Sequence, residues 1–170
     1  MAGLRDAFET YDVAQNADLT FWNLTDPLLL QALRTAKCAV FELPLDDLSN
    51  SRREAKVTGV WMAFIGSNAQ PPQFSVQLEH TGDARVRLAD APATVLAVTQ
   101  PSRLAPQQAV TTPGQEVLGG GATDCFWGRS PTARWRMVLE AEVEQRAGID
   151  LSELLSAVGL AIAFKSIDGK

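Results

Sequence analysis

Hydrophobic and polar residues alternate most regularly over Arg134 to Val143, which reads RWRMVLEAEV. One set of alternate positions is apolar and holds Trp135, Met137, Leu139, Ala141 and Val143. The other set is mostly charged and holds Arg134, Arg136, Val138, Glu140 and Glu142. A period of two residues is typical of a strand with one face in the core and one in water. The segment therefore predicts a half-buried antiparallel strand.

Six further segments have the apolar and β-branched content of strands. Lys56–Ile65 is apolar at both sets of alternate positions, which predicts burial on both faces and a central position in a sandwich. Thr81-Gly82-Asp83 predicts a turn that joins two of the segments as a hairpin. The other predicted strands are Ala39–Leu43, Phe74–His80, Ala84–Leu88, Thr94–Val98 and Val158–Ile167.

Two helices are predicted from capping residues. Asp26 followed by Pro27 gives a cap and a proline at the first helical position, so a helix is expected from Pro27 to about Lys37. Its apolar stripe is Leu29, Leu33 and Ala36. A second, short helix is predicted over Asp150–Leu155, where Asp150 is the cap.

The order of these elements predicts a mainly β fold. Seven or eight short strands with two short helices favour an antiparallel β-sandwich, of the jelly-roll kind or a related one. Residues 1–25 are predicted to be an N-terminal extension and residues 26–170 a single sandwich domain. Leu45–Glu54 is a polar connection with room for a helical turn. Gln100–Thr123, rich in proline, glutamine, threonine and glycine, predicts a long mobile loop with at most a short strand near Val117.

Composition narrows the class of protein. The 170 residues are 46% hydrophobic and 21% charged, which suits one compact domain. The net charge of -5 gives no general attraction to nucleic acid or anionic lipid. No stretch reaches the ~18 to 20 apolar residues of a membrane span, and the first residues do not have the pattern of a signal peptide. We therefore expect a protein that is cytoplasmic as synthesised.

Groups for catalysis or metal binding are sparse. Cys38 and Cys125 lie in no metal-binding spacing, and buried free thiols are favoured over a disulfide, which stays open. His80, the single histidine, is interpreted as an exposed turn residue, because no nucleophile motif accompanies it. Asp46, Asp47 and Asp124 fit solvated turns better than a calcium site. The sequence predicts no enzyme, no cofactor and no metal.

The best candidates for a partner-binding surface combine tryptophan and arginine, which are common in interface hot spots. They are Trp127, Arg129, Arg134 and Arg136. Trp135 lies between them but falls on the core face of its strand, so a structural role is favoured for it. Trp127 belongs to a predicted loop and is the more open case.

Two passages resemble a known family. LLQALRTAKCAVFELP (Leu29–Pro44), followed by Arg53 and the strand Lys56–Ile65, is similar to the region near the C-terminus of Tc toxin A subunits. FWGRSPTARWRMVL (Phe126–Leu139) and DLSELLSAVGLAIAF (Asp150–Phe164) are similar to the closing strands of the same subunits. The resemblance implies a β-sandwich that docks the B subunit, without enzymatic activity. It also implies a protein that is released or surface-associated within a toxin-like assembly.

Three functions are compared. The first is a protein-docking or assembly module that binds a partner protein or its own copies. The alternative is a lectin-like sandwich that binds carbohydrate or a receptor, which requires an exposed aromatic such as Trp127 or Trp22. The third is a hydrolase that uses His80 with a cysteine or serine. The absence of a catalytic motif favours the first.

Overall fold

The computed structural model describes residues 18–48, 52–65, 74–88, 91, 94–110, 124–140 and 157–168. In these ranges the chain has one α-helix, short 3₁₀ turns and nine strands in two antiparallel sheets. Helix α1 spans Pro27–Ala36, and a 3₁₀ turn spans Leu45–Asp47. The strands are β1 (Asp18–Leu24), β2 (Cys38–Glu42), β3 (Arg52–Ile65), β4 (Phe74–Arg87), β5 (Val95–Thr99), β6 (Arg103–Leu104), β7 (Gln108–Val110), β8 (Ala133–Leu139) and β9 (Ala157–Asp168).

The strands form a three-stranded and a six-stranded sheet. The first has the order β1-β9-β3. The second has the order β2-β8-β4-β5, and β6 and β7 also pair with β4. Buried apolar side chains of both sheets join one cluster, so the sheets pack face to face as in a sandwich. The prediction of a mainly β, antiparallel fold is confirmed, while the jelly-roll form stays a prediction.

Strand β8 has the predicted alternation. Ala133, Trp135, Met137 and Leu139 are buried, whereas Arg134 and Arg136 are exposed. Trp135 is fully buried, as its position in the pattern predicts, and its indole N–H donates to the Pro131 carbonyl at 3.2 Å. The strand ends at Leu139, and the predicted continuation over 141–143 lies outside the described residues.

Strand β3 lies beside β9, which is the middle strand of the three-stranded sheet, and its central position in the sandwich stays a prediction. Register shifts in β3 account for part of its apolar pattern on both faces. Val57 faces the core before the shift at Val57/Gly59, and Val60 and Met62 face it afterwards. Trp61 is buried at 5% exposure but does not belong to the core cluster.

Helix α1 begins and ends as predicted. The Asp26 carboxylate accepts the Leu28 N–H at 2.9 Å, and Lys37 closes the helix in the left-handed conformation at φ 55. Its buried residues are Leu29, Leu30 and Leu33, whereas Ala36 is exposed. The predicted stripe is thus wrong at Ala36, because the helix presents Leu30 to the core instead. The second predicted helix, 150–155, lies outside the described residues.

The predicted hairpin at Thr81-Gly82-Asp83 is wrong, because β4 runs through it without a turn. The register against β8 shifts between His80 and Ala84, so the segment is a bulge. Gly82 has φ +99, and a Cβ there would lie 1.8 Å from the Gln100 carbonyl oxygen. Glycine is required at this position for two reasons: its backbone is in the left-handed region, and the Gln100 carbonyl oxygen lies where a Cβ would be.

Two predicted non-strand segments contain strands. The predicted loop 100–123 is wrong over its first part, where β6 and β7 pair with β4, and residues 111–123 lie outside the described residues. Pro101 and Pro106 lie on either side of β6, so the composition of this segment is typical of a loop and does not indicate the strand. Strand β1 falls within the predicted extension and pairs with β9 along its whole length.

Candidate functional site

Trp127 is displayed on a firmly held turn. Its N–H donates to the Asp124 carbonyl at 3.2 Å, and the Arg129 N–H donates to the Phe126 carbonyl at 3.0 Å. Two further backbone bonds fasten the turn to β3, with Val57 as both donor and acceptor. Trp127 is 61% exposed, and the chain's other three tryptophans are all buried. The turn therefore holds one aromatic ring in solvent.

Arg129, two residues later, is only 8% exposed. Its guanidinium donates to the Gln100 side-chain oxygen at 3.0 Å, which joins the turn to the end of β5. Burial, together with the nearby charge of Arg103, lowers the pKa of Arg129. The Arg129 side chain is therefore buried and holds the turn in place, and its role in partner binding stays a prediction.

Arg134 and Arg136 lie on the outer face of the six-stranded sheet. Arg134 is 3.8 Å from the Asp83 carboxylate, and Arg136 is 2.5 Å from the Glu79 carboxylate. Both partners belong to β4, which neighbours β8. The arginines are exposed but already paired within their own sheet. Trp127 and Arg129 belong to the turn before β8, and Arg134 and Arg136 belong to β8 itself. The role of all four in binding stays a prediction.

The predicted row of charges on β8 is shorter than expected. Glu140 follows the end of the strand, and its carboxylate accepts the Ser75 N–H at 3.1 Å. Glu142 lies outside the described residues. Glu140 therefore fixes β4 to the end of β8.

His80 is buried at 1% exposure, so the interpretation of an exposed turn histidine is wrong. Its Nδ1 accepts the Gly82 N–H at 3.1 Å, which leaves the proton on Nε2, and Nε2 donates to the Ser130 carbonyl at 3.1 Å. The ring packs edge-on against Trp135 at 4.8 Å. Burial lowers its pKa. Both nitrogens are used by the backbone, so this histidine is placed to hold the bulge and the turn rather than to act as a base.

The cysteines and acidic residues have structural surroundings. Cys38 and Cys125 are free thiols and half-buried, and burial raises the pKa of Cys125. The Asp47 carboxylate accepts the Trp22 indole N–H at 2.7 Å, so it joins the 3₁₀ turn to β1. Trp22 is 7% exposed and cannot serve as the exposed aromatic of a lectin site. Within the described part of the chain, no cluster of three histidine, cysteine or acidic residues could hold a metal ion.

The edge of strand β2 is a feature that the sequence did not single out. Strand β2 is the outermost strand of its sheet and pairs only with β8 among the described strands. The Leu139 N–H donates to the Lys37 carbonyl at 2.7 Å, and the Leu43 N–H donates to the Ala133 carbonyl at 3.0 Å. Bonds to an antiparallel neighbour alternate along a strand. The odd-numbered residues of β2 therefore bond to β8.

The even-numbered residues Cys38, Val40 and Glu42 consequently direct their N–H and C=O groups away from β8. No other described residue hydrogen-bonds to these backbone groups. We call this row the β2 edge. A row of unpaired backbone groups is a template for another extended chain.

A groove of about 450 Å³, lined mostly by apolar residues together with Asp26 and Glu42, runs beside the β2 edge. We call it the β2 groove. Two of its apolar side chains are well exposed, Leu28 at 75% on α1 and Val40 at 56% on β2. The groove is lined by Leu24, Asp26, Leu28, Leu29, Ala32, Ala39, Val40, Phe41 and Glu42. Backbone donors and acceptors therefore lie next to a surface that can bury apolar side chains.

A weak signal of this site exists in the sequence. Leu28 lies off the apolar stripe of α1, and Val40 lies between the buried Ala39 and Phe41. An apolar residue at a solvent-facing position of both neighbouring elements indicates a shared exposed patch. That β2 is an edge strand, however, depends on pairings between distant segments.

Comparison with known proteins places no further constraint on the chain. A scan against protein-family models and a search of curated proteins both gave no match. In the described ranges, no helix is sufficiently long and apolar to cross a membrane. The candidate site is therefore interpreted from its own geometry.

Proposed function

We propose that this protein is a non-enzymatic docking module that binds a polypeptide partner by strand addition at the β2 edge. The observation that carries the proposal is the outward-facing backbone of Cys38, Val40 and Glu42, which bonds to no other described residue and lies beside the β2 groove. In this mode of binding, main-chain hydrogen bonds supply affinity and pockets for alternate side chains supply specificity.

The chemistry of the groove indicates the kind of segment that fits. Exposed Leu28 and Val40 favour apolar side chains at alternate positions of an extended segment. Burial of such side chains contributes about 25 cal/mol per Å² of apolar surface removed from water. The β2 edge therefore aligns the backbone of the bound segment with β2, and the β2 groove favours apolar side chains in that segment.

The resemblance of the sequence to the B-subunit-docking region of Tc toxin A subunits implies the same kind of function and stays part of the proposal. Two of the residues that carry it, Pro44 and Arg53, lie close in the chain to the ends of β2 and β3. Membership of a toxin-like assembly stays part of the proposal, as do contributions to binding from Trp127, Arg129, Arg134 and Arg136. The outer face that carries the last two arginines adjoins β2 through β8.

The proposal is tested with peptides selected against the purified protein from a displayed library of short random sequences. Bound peptides should slow amide hydrogen exchange at Cys38, Val40 and Glu42. Val40→Pro removes the central N–H donor, and proline is tolerated on an edge strand where its nitrogen faces outward. Binding should weaken more than about tenfold in this variant, because a hydrogen bond and its geometry are lost. Val40→Thr keeps the donor and is the matched control.

A second variant covers the possibility that Val40→Pro does not fold. Leu28→Glu places a carboxylate in the first turn of α1, where the helix dipole favours it, and makes the groove polar. This variant should fold and bind the peptides weakly. Peptides that protect other amides, or that bind all variants equally, would exclude docking at the β2 edge.

Carbohydrate binding is a second candidate because Trp127 presents an exposed ring on a fixed turn. Aromatic faces stack on sugar rings, and this ring needs no rearrangement to do so. A glycan array probed with wild type and Trp127→Ala tests it. A glycan signal that disappears in the variant supports carbohydrate binding at Trp127, whereas an array without any signal for the wild type contradicts it.

A further inference from the structure

We infer that the segment added at the β2 edge is the β2 strand of a second copy of this chain, antiparallel about a twofold axis at Val40. This inference rests on the proposed function and adds the identity of the partner. It would join the two six-stranded sheets into one continuous sheet across the dimer.

The backbone pattern selects this axis. With the axis at Val40, Val40 pairs with its copy, and Cys38 pairs with Glu42 of the second copy. Each outward-facing residue then exchanges both hydrogen bonds with a residue that also faces outward. All three residues of the β2 edge are paired.

Shifting the axis along the strand loses pairs. An axis at Ala39 places Glu42 opposite Ala36 of the second copy, which is helical. An axis at Phe41 places Cys38 opposite Pro44, which has no N–H to donate. Either shift leaves one of the three edge residues without its full bonds.

The side chains agree with the same register. On the outer face, the exposed Val40 packs against its copy, and the carboxylate of Glu42 lies opposite the uncharged Cys38. An axis at Glu42 would instead bring two carboxylates together, which is unfavourable. The register at Val40 therefore has an apolar centre and opposes no like charges.

The β2 groove adds apolar surface to the proposed dimer interface. Leu28 and Val40 line the same groove and are both exposed, large apolar side chains. A twofold axis at Val40 brings the groove of each copy to this interface, where Leu28 can be covered. A symmetric pair also leaves no β2 edge open for further addition, so assembly stops at a dimer.

The mass of the purified full chain in solution tests the inference. Light scattering over a concentration series should give a dimer for wild type, and Val40→Thr, which keeps the N–H donor but loses an apolar contact, should weaken that dimer less than Val40→Pro does. The dissociation constant should rise more than about tenfold for Val40→Pro, which removes the central donor from both copies. Leu28→Glu should weaken the dimer as well, and its circular dichroism should match the wild type.

The register is tested by nuclear magnetic resonance on a mixture of isotope-labelled and unlabelled chains. Residues between the bonded pairs of an antiparallel ladder bring their α-protons closest, so Ala39 and Phe41 of different copies should give an intermolecular contact. A dimer without this contact, or one that Val40→Pro leaves intact, would overturn the inference.

The outcomes separate the inference from the proposed function. A wild type that stays monomeric, while its selected peptides protect the β2 edge and fail to bind Val40→Pro, refutes self-pairing and keeps docking by strand addition. A monomer that binds no peptide at the β2 edge refutes both.

Discussion

Lowering the pH below 6.5 should destabilise this protein through one residue, the buried His80. Its ordinary pKa is 6.5, and burial lowers it in the folded state. Nearby Arg129 acts in the same direction, whereas the Ser130 hydrogen bond and Asp83 oppose it. A protonated ring would carry a proton on Nδ1, which would face the Gly82 N–H as a second donor. The folded state therefore holds the neutral ring.

The sign follows from proton uptake. Below pH 6.5 the unfolded chain binds a proton at this histidine and the folded chain does not, so stability falls as the pH falls. The loss continues until the folded-state pKa is reached. One proton contributes at most about 1.36 kcal/mol per pH unit, which gives an upper limit of about 2 kcal/mol between pH 6.5 and 5. Because the chain has one histidine, no other imidazole contributes.

Urea unfolding at several pH values between 7 and 5 measures the effect. His80→Gln retains an amide that can donate to the Ser130 carbonyl but cannot titrate, so its stability should be lower at pH 7 and nearly constant over the window. Titration of the ring protons by nuclear magnetic resonance gives the folded pKa directly. An equal slope in both proteins, or a wild type that gains stability on acidification, would refute the reasoning.

Three further predictions concern stability. Gly82→Ala should destabilise the fold by more than about 1 kcal/mol in urea unfolding, because the position has φ +99 and faces a carbonyl oxygen; a neutral result would contradict the close crossing. Trp135→Ala should lower the free energy of unfolding by about 3 to 5 kcal/mol because this side chain is buried, whereas Trp127→Ala should change it by less than about 0.5 kcal/mol. Equal losses of stability in thermal unfolding would contradict this difference in burial. Arg136→Glu should fold but lose up to about 1 kcal/mol, because it opposes Glu79, and added salt should reduce the loss.

Local patterns in the sequence predicted the elements that depend on local physics. The alternation around Trp135 gave both faces of β8, and Asp26 with Pro27 gave the start of α1. Each signal depends only on neighbouring residues, because side-chain period and capping are properties of a single segment. These signals therefore do not depend on the sheet in which the strand is placed.

Features set by contacts between distant segments could not be predicted in this way. Thr81-Gly82-Asp83 has the composition of a turn, and only the pairing of β4 with β8 across it makes it a bulge. His80 is polar, and its burial depends on two backbone partners that the fold supplies. The β2 edge likewise becomes visible only once the order of the sheet is known.

The place of β9 has a consequence for biosynthesis. Strands β1 and β3 are both hydrogen-bonded to β9 and not to each other, and the register joins Asp18 to Phe164. At ribosomal rates, the wait between these two residues is on the order of ten seconds. During that time β1 and β3 have no hydrogen-bonding partner in their own sheet. The three-stranded sheet therefore forms only after β9 has been synthesised, and the apolar side chains of β1 and β3 that face the core lack this support until then.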